Sequence, residues 1–270
     1  MPELPEVETI RRQILWLRGR EVLAVEQADV KADPRYVNLL RAVGQRILAV
    51  ERRGKFLILP LSAGDELVIH LGMTGVVTWL RAAQHVRVVL RLSGRDRTRL
   101  YFCDPRRFGR LLVVPRGDRS CLPALARMGP EPLKRGFTAA GFHRALQSTS
   151  AIKPYLLSQR PVAGLGNIYA DEVLWRARLH PLRPACTISP RQANELHAAI
   201  RTLLREAVRA RGTTARDRGY RTASLESGSF QAKLAVYQRT GEPCRRCGKA
   251  IVRIVVAGRG THFCSRCQRR

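Results

Sequence analysis

The chain has 270 residues, 49 Lys and Arg against 21 Asp and Glu, a formal charge of +28 and 45% hydrophobic side chains. That length can bury a core without disulfide staples, and the charge excess points to a polyanionic partner. No apolar run reaches the ~18 residues of a spanning helix, and the acidic start MPELPEVET is unlike a basic signal-peptide region, so a soluble cytoplasmic protein with no membrane partner is expected.

Arginine supplies 43 of the 49 basic side chains. The skew favours bidentate phosphate contacts, although GC-rich coding alone would also produce it. Leu4, Val7, Ile10, Ile14, Leu15 and Leu17 recur at helical spacing and predict an opening amphipathic helix stopped by Gly19, with Pro2 and Glu3 at its N-terminal end. From about 46 to 115 the short runs ILAV, FLILPL, ELVIHL, VVTWL, HVRVVLRL, RLYFC and RLLVV, separated by turn signals, predict a sandwich or barrel. Alternation in HVRVVLRL puts Val86, Val88, Leu90 and Leu92 on one face and Arg87 and Arg91 on the other.

After Pro130 the pattern becomes helical. Ser189-Pro190-Arg191-Gln192 reads as a capping box with proline at the first helical position, ahead of the stripe Ala193, Leu196, Ile200, Leu203, Leu204 and Ala207. Residues 212–229, rich in Gly, Ser, Thr and Arg without an apolar period, are expected to form a mobile loop.

Cys244-Arg-Arg-Cys247 and Cys264-Ser-Arg-Cys267 have the spacing of a zinc ribbon, so Cys244, Cys247, Cys264 and Cys267 are expected to hold one structural zinc ion, with His262 outside the set. Residues 251–257 and 261–263 read as paired strands joined by Gly258-Arg259-Gly260, which would put Arg259 at the tip of a metal-stapled hairpin. Cys103, Cys121 and Cys186 read as buried small hydrophobes.

PELPEVETIRR at the start, GLGNIYADE at 164–172 and GRGTHFCSRCQ at 258–268 resemble the formamidopyrimidine-DNA glycosylase family. RRGKFLILPL, HLGMTG, DPRRFG and AIKPYLL follow in the family's order. The resemblance implies an α+β multidomain fold: an N-terminal β-sandwich with a flanking helix over 1–130, a helical helix-two-turn-helix domain over 131–225, and a zinc-finger hairpin over 226–270. It also implies a monomeric, bacterial-type, nucleoid-associated enzyme acting on damaged double-stranded DNA, with the strand running across a cleft between the halves.

The resemblance assigns roles residue by residue. Pro2, freed by loss of Met1, would be the nucleophile, since an α-amino group with pKa near ~8 is partly unprotonated at neutral pH. Glu3 would be the general acid, Glu6 would position the amine or a water, Lys55 would move a proton during elimination, and Arg259 would grip the phosphate of the damaged nucleotide. Met73, Arg106 and Phe108 match the trio that fills the gap left by a flipped nucleotide. His70, His85, Arg107, Lys153 and Asn167 match further DNA contacts. Ala215, Arg218, Gln238 and Ser158 depart from the family pattern, Gln238 at a position where glycine is usual. A non-catalytic zinc-hairpin DNA binder and the pyrimidine-directed endonuclease VIII-like branch are the competing readings.

Overall fold

The computed structural model describes residues 1–27, 33–81, 84–120, 122–214 and 220–270. Cys121, Ala215 and Arg218 therefore lie outside the described residues. The chain forms two compact units: one combines Met1–Leu125 with Ala210–Gln231, the other Ala126–Arg209 with Ala232–Arg270. The three segments read from the sequence are thus distributed over two bodies, and 210–231 belongs with the strands.

The first unit opens with α1 (Leu4–Gln13), whose Val7 and Ile10 are fully buried. The helical periodicity continues to Leu17, but the α-helix stops at Gln13 and Leu15–Leu17 form a 3-10 turn. Gly19, at φ +84°, then turns the chain and donates its N–H to the Ile47 carbonyl at 2.8 Å. Two sheets follow. β1 (Val22–Gln27), β6 (Val76–Thr78), β7 (Val86–Leu92) and β8 (Arg99–Cys103) pair in the order β1-β7-β8-β6. β2 (Tyr36–Val37), β3 (Glu51–Arg53), β4 (Phe56–Pro60), β5 (Asp65–His70) and β9 (Arg110–Pro115) pair in the order β2-β9-β5-β4-β3.

Period-two alternation explains how the sheets face each other. Val88, Leu90, Leu92, Leu100 and Phe102 from one sheet share a core with Leu57, Leu59, Leu67, Ile69, Leu111 and Val113 from the other, which is the expected sandwich. Val86 is only half-buried, because a register shift between Val86 and Val88 breaks the alternation. The ILAV run at 47–50 forms no strand. Ile47 makes one isolated bridge to Leu61 and otherwise contributes apolar bulk to the core. Cys103 is buried as expected, whereas Cys186 is exposed.

The expected mobile loop at 212–229 is instead, where described, a packed irregular segment. Thr213, Thr214, Tyr220, Thr222 and Ala223 are buried. The Gln13 amide donates to Ser224 Oγ at 3.1 Å and its oxygen accepts the Ala223 N–H at 2.8 Å. Thr78 Oγ1 donates to the Ala223 carbonyl at 2.7 Å. Polar composition signals a loop because such side chains serve backbone groups, and here those bonds fasten the loop to the sandwich.

The second unit contains α3 (Ala139–Ala145), α4 (Ile152–Leu157), α5 (Asn167–Arg176) and α6 (Pro190–Arg209), with the short α2 (Pro123–Ala126) at the unit boundary. The capping box is present: Ser189 N–H donates to Gln192 Oε1 at 3.1 Å, and Gln192 N–H to Ser189 Oγ at 3.3 Å. Every residue of the expected α6 stripe is buried. The chain ends in a hairpin of β10 (Val252–Val256) and β11 (Arg259–Phe263). Among the described residues no helix is long and apolar enough to cross a membrane.

Candidate functional site

In the first unit the start of α1 is a fixed structure. Pro2 and Glu3 are buried, and Glu3 sits at the helix N-cap with Met1 exposed before it. Glu6 Oε2 accepts the Glu3 N–H at 2.8 Å, and Glu6 Oε1 accepts the Thr213 N–H at 2.7 Å. Glu6 thereby holds the backbone next to Pro2 and ties it to the packed 210–231 segment. A side chain at Gly212 would place its Cβ 2.5 Å from Glu6 Oε1, so the close approach requires glycine.

Lys55 lies in the two-residue turn between β3 and β4, where Arg53 pairs with Phe56 and Gly54 takes φ +55°. It is only 7% exposed, unlike an ordinary hairpin lysine. One chain of bonds relates this turn to α1. Glu8 accepts from Arg52 Nε at 3.1 Å, and Arg52 Nη1 donates to the Gly54 carbonyl at 3.0 Å. Burial would raise the Glu8 carboxyl, but Arg11, Arg12 and Arg52 outweigh it and bring the pKa down to about 2. Glu8 and Arg52 carry no signal in spacing or composition, which is why sequence reading passes over them.

Met73 and Phe108 are exposed, at 37% and 51%, against the usual burial of such side chains. The Arg106 guanidinium lies 5.1 Å from the centroid of the Phe108 ring. Their two loops are joined through Asp104, which is fully buried. Asp104 Oδ1 accepts from Thr74 Oγ1 at 2.7 Å, and Oδ2 accepts the Gly109 N–H at 2.7 Å. Gly72, at φ +60°, lets the loops touch, since a Cβ there would fall 2.4 Å from the Phe108 carbonyl carbon. His85 is exposed in the left-handed region at φ +57°, its carbonyl accepting the Asp104 N–H at 3.0 Å. Arg107, also exposed, is left-handed at φ +55°.

His70 closes β5 and accepts the Gly72 N–H on Nδ1 at 3.2 Å, which leaves Nε2 to carry the ring proton. Burial first, then the charges of Lys55 and Arg110, hold its pKa down to about 4, so His70 offers hydrogen bonds and no charge at neutral pH. Its folded pKa lies below its ordinary 6.5. The unfolded chain therefore binds the extra proton between these values, and the stability present above pH 6.5 is lost as pH falls towards 4. The loss reaches roughly 3 kcal/mol at most. Urea midpoints at about pH 7.5 and about pH 5 will show this decline in the parent chain and a smaller one in His70→Gln.

In the second unit the GLG loop enters α5 under the control of Gln159, which accepts the Gly164 N–H at 2.7 Å and donates to the Leu165 carbonyl at 2.6 Å. Asn167 opens the helix and donates its amide to the Gly260 carbonyl at 3.0 Å. Lys153 is fully buried rather than presented to a phosphate. Its ammonium pairs with Asp171 Oδ1 at 2.7 Å and donates to the Gly260 carbonyl at 3.1 Å and Thr261 Oγ1 at 2.8 Å. That corrects the direct DNA contact expected of it, because a fully enclosed charge with three protein partners acts on the hairpin. Asp171 Oδ2 also accepts the His262 N–H at 2.9 Å. The neighbouring Glu172 accepts the N–H groups of Ala235, Val236 and Tyr237 at 2.8 to 2.9 Å. Burial raises the Glu172 pKa against the pull of those three bonds. Consecutive acids on α5 thus grip two separate stretches of the C-terminal segment.

The hairpin turn is Ala257-Gly258, at φ +47° and +72°, and Arg259 pairs with Val256 as the first residue of β11. Arg259 is exposed but stands one position past the turn, not at its tip as expected. Gln238, where the family pattern has glycine, adopts φ +57°, a conformation that costs a non-glycine residue about 1 kcal/mol.

The sulfur atoms of Cys244, Cys247, Cys264 and Cys267 lie within 4.8 Å of one another, with Cys247–Cys264 at 3.5 Å and Cys244–Cys267 at 4.0 Å. Four thiolates about 2.3 Å from a tetrahedral zinc stand ~3.8 Å apart, so the set fits one structural zinc ion. His262 faces Asp171 instead. Trp175 donates its indole N–H towards Cys244 Sγ at 3.4 Å, fastening α5 to the site. Chelation is expected to disorder the hairpin, shift Trp175 fluorescence and abolish DNA binding while the first unit keeps its own melting transition. Simultaneous loss of both units on chelation would contradict this.

Residues 1–111 match the Formamidopyrimidine-DNA glycosylase N-terminal domain, 128–218 the Formamidopyrimidine-DNA glycosylase H2TH domain, and 241–270 the zinc finger found in FPG and IleRS. The chain is 52% identical over 270 residues to a formamidopyrimidine-DNA glycosylase of Thermus thermophilus, covering 99% of this chain and 98% of that one. It is 45% identical to one of Deinococcus radiodurans, covering 99% and 97%. The crystal structure of the MutM (FPG) protein from Thermus thermophilus superposes with a TM-score of 0.92 at 50% identity, covering 99% and 98%. A Lactococcus lactis FPG in complex with abasic-site DNA gives 0.85 at 37% identity, covering 99% and 100%. The chain belongs to the formamidopyrimidine-DNA glycosylase family.

Proposed function

We propose that the chain excises oxidised purines, 8-oxoguanine and formamidopyrimidines, through a covalent Pro2 intermediate and then cleaves the strand by β,δ-elimination. Family membership makes it a base-excision repair DNA glycosylase with lyase activity at abasic sites. The observation that carries the finer reading is the N-terminal device in which Glu6 holds the Glu3 backbone while Glu8 and Arg52 brace the Lys55 turn. A chain terminus fixed by buried carboxylates is unusual, and a nucleophile benefits from such preorganisation.

After removal of Met1, the Pro2 nitrogen bonds to C1′ as the glycosidic C1′–N bond breaks, and the departing base takes up the proton that the Pro2 nitrogen gives up. Glu3 delivers a proton to O4′ as the C1′–O4′ bond opens, leaving an iminium at C1′. A secondary amine yields an iminium with no N–H to lose, so the positive charge persists as an electron sink. Loss of a C2′ proton, a transfer assigned to Lys55, expels the 3′ phosphate, and a second elimination, with loss of a C4′ proton, expels the 5′ phosphate. Met73, Arg106 and Phe108 fill the space left by the extruded nucleotide. His70, His85, Arg107, Asn167 and Arg259 hold the strand, and Lys153 positions Arg259 from behind. The zinc ion supplies no chemistry to these steps; it closes the fold of the hairpin.

Borohydride reduces an iminium to a stable amine, so it will link the protein covalently to duplex DNA carrying 8-oxoguanine and not to undamaged duplex. Tight binding without nicking would identify a non-catalytic DNA binder. Faster excision of thymine glycol would identify the pyrimidine-directed branch.

A further inference from the structure

The second unit carries a depression at the knuckle end of the zinc hairpin, lined by Arg178, Arg183, Arg246, Arg266, Arg269 and Arg270 together with Cys247 and Cys267. Among the described residues no Asp or Glu lines it. A divalent ion on four thiolates carries two net negative charges, which two guanidinium groups offset, leaving the remainder of the six uncompensated. Two of the six have structural duties. Arg246 donates to the Trp175 and Arg176 carbonyls and lies 4.3 Å from the centroid of the Trp175 ring, while Arg183 donates to Thr187. Arg178, Arg266, Arg269 and Arg270 are exposed. Their field reaches nearby His180, whose pKa is lowered by burial first and by the Arg270 charge second.

We propose that this depression is a second phosphate-binding site, engaging the backbone of nucleic acid beyond the stretch gripped by the hairpin turn. The hairpin separates the two. Val252 pairs with Phe263 at the knuckle end and Val256 with Arg259 at the turn, a separation of ~14 Å along the strands. At ~3.4 Å of axis per phosphate on one strand, that spans about four nucleotides. Planar guanidinium forks with no competing Asp or Glu side chain match phosphate oxygens bidentately, and four of them around one depression suit a strand better than a single small anion. The site rests on nucleic acid being the partner and not on the Pro2 chemistry.

The test compares the zinc-loaded parent with the triple variant Arg178→Gln, Arg266→Gln, Arg269→Gln, leaving Arg183 and Arg246 to hold the fold. A control triple, Arg144→Gln, Arg191→Gln, Arg205→Gln, removes equal charge from exposed helix positions. Binding to undamaged duplex of about 40 base pairs is measured across salt concentrations. The groove variant is expected to reduce the slope of log K against log salt by about 3, at ~0.9 for each of three lost phosphate contacts, and the control to leave it unchanged. Excision and borohydride trapping on a short lesion duplex at saturating enzyme should match the parent. Equal slopes in groove and control variants would overturn the proposal, as would loss of trapping at saturation, which would make the groove part of the lesion site. Failure of the parent to trap, with the slope difference intact, would count against the Pro2 mechanism alone.

Discussion

Glu3→Gln is expected to slow 8-oxoguanine excision by about 100-fold or more in single-turnover assays, the usual size of a lost general acid. The helix start survives the change, because glutamine can still accept the Glu6 N–H of the capping box and Glu6 keeps its bond to the backbone N–H of residue 3. An N-terminal extension that converts the Pro2 nitrogen to an amide should abolish trapping altogether, since an amide nitrogen is no nucleophile. Thermal melting of both forms should match the parent, separating chemistry from folding. Excision by Glu3→Gln within about threefold of the parent would remove Glu3 from the mechanism.

The second large effect is on stability. Lys153 and Asp171 are both fully enclosed, and their charges meet at 2.7 Å. Lys153→Met removes one partner and leaves the Asp171 carboxylate buried without its cation, at a cost of about 3–5 kcal/mol. Asp171 would retain the His262 N–H, a bond that moderates the loss without replacing an ammonium. Urea unfolding of the second unit reads the cost directly. A phosphate-binding lysine behaves oppositely: its loss lowers the salt slope of DNA binding by ~0.9 and leaves folding nearly unchanged. That outcome for Lys153→Met would return the residue to the DNA interface.

The sequence makes the scaffold legible wherever one physical period dominates. The β7 alternation from Val88 to Leu92, the α6 stripe with its capping box and the paired Cys-x-x-Cys spacing are each set by local geometry, and each appears in the fold. Arg259 is displaced by one position because Ala257 accepts a left-handed conformation that the sequence would assign to Gly258 and a neighbour. The 212–229 segment reads as mobile because irregular backbone has no period, yet Glu6, Gln13 and Thr78 satisfy it from distant parts of the chain. Asp104, Trp175 and the pair Glu8–Arg52 are invisible for the same reason: their work consists of contacts tens or more residues away. Lys153 shows the converse, since a motif can mark a lysine as functional without saying whether its charge faces DNA or the protein interior.

The decisive atom is the one that bonds to the sugar. Borohydride-trapped complex, digested with protease and nuclease and analysed by mass spectrometry, should carry its deoxyribose remnant on a peptide that begins at Pro2. A remnant on Lys55 or another lysine, or fully active protein that retains Met1, would contradict it.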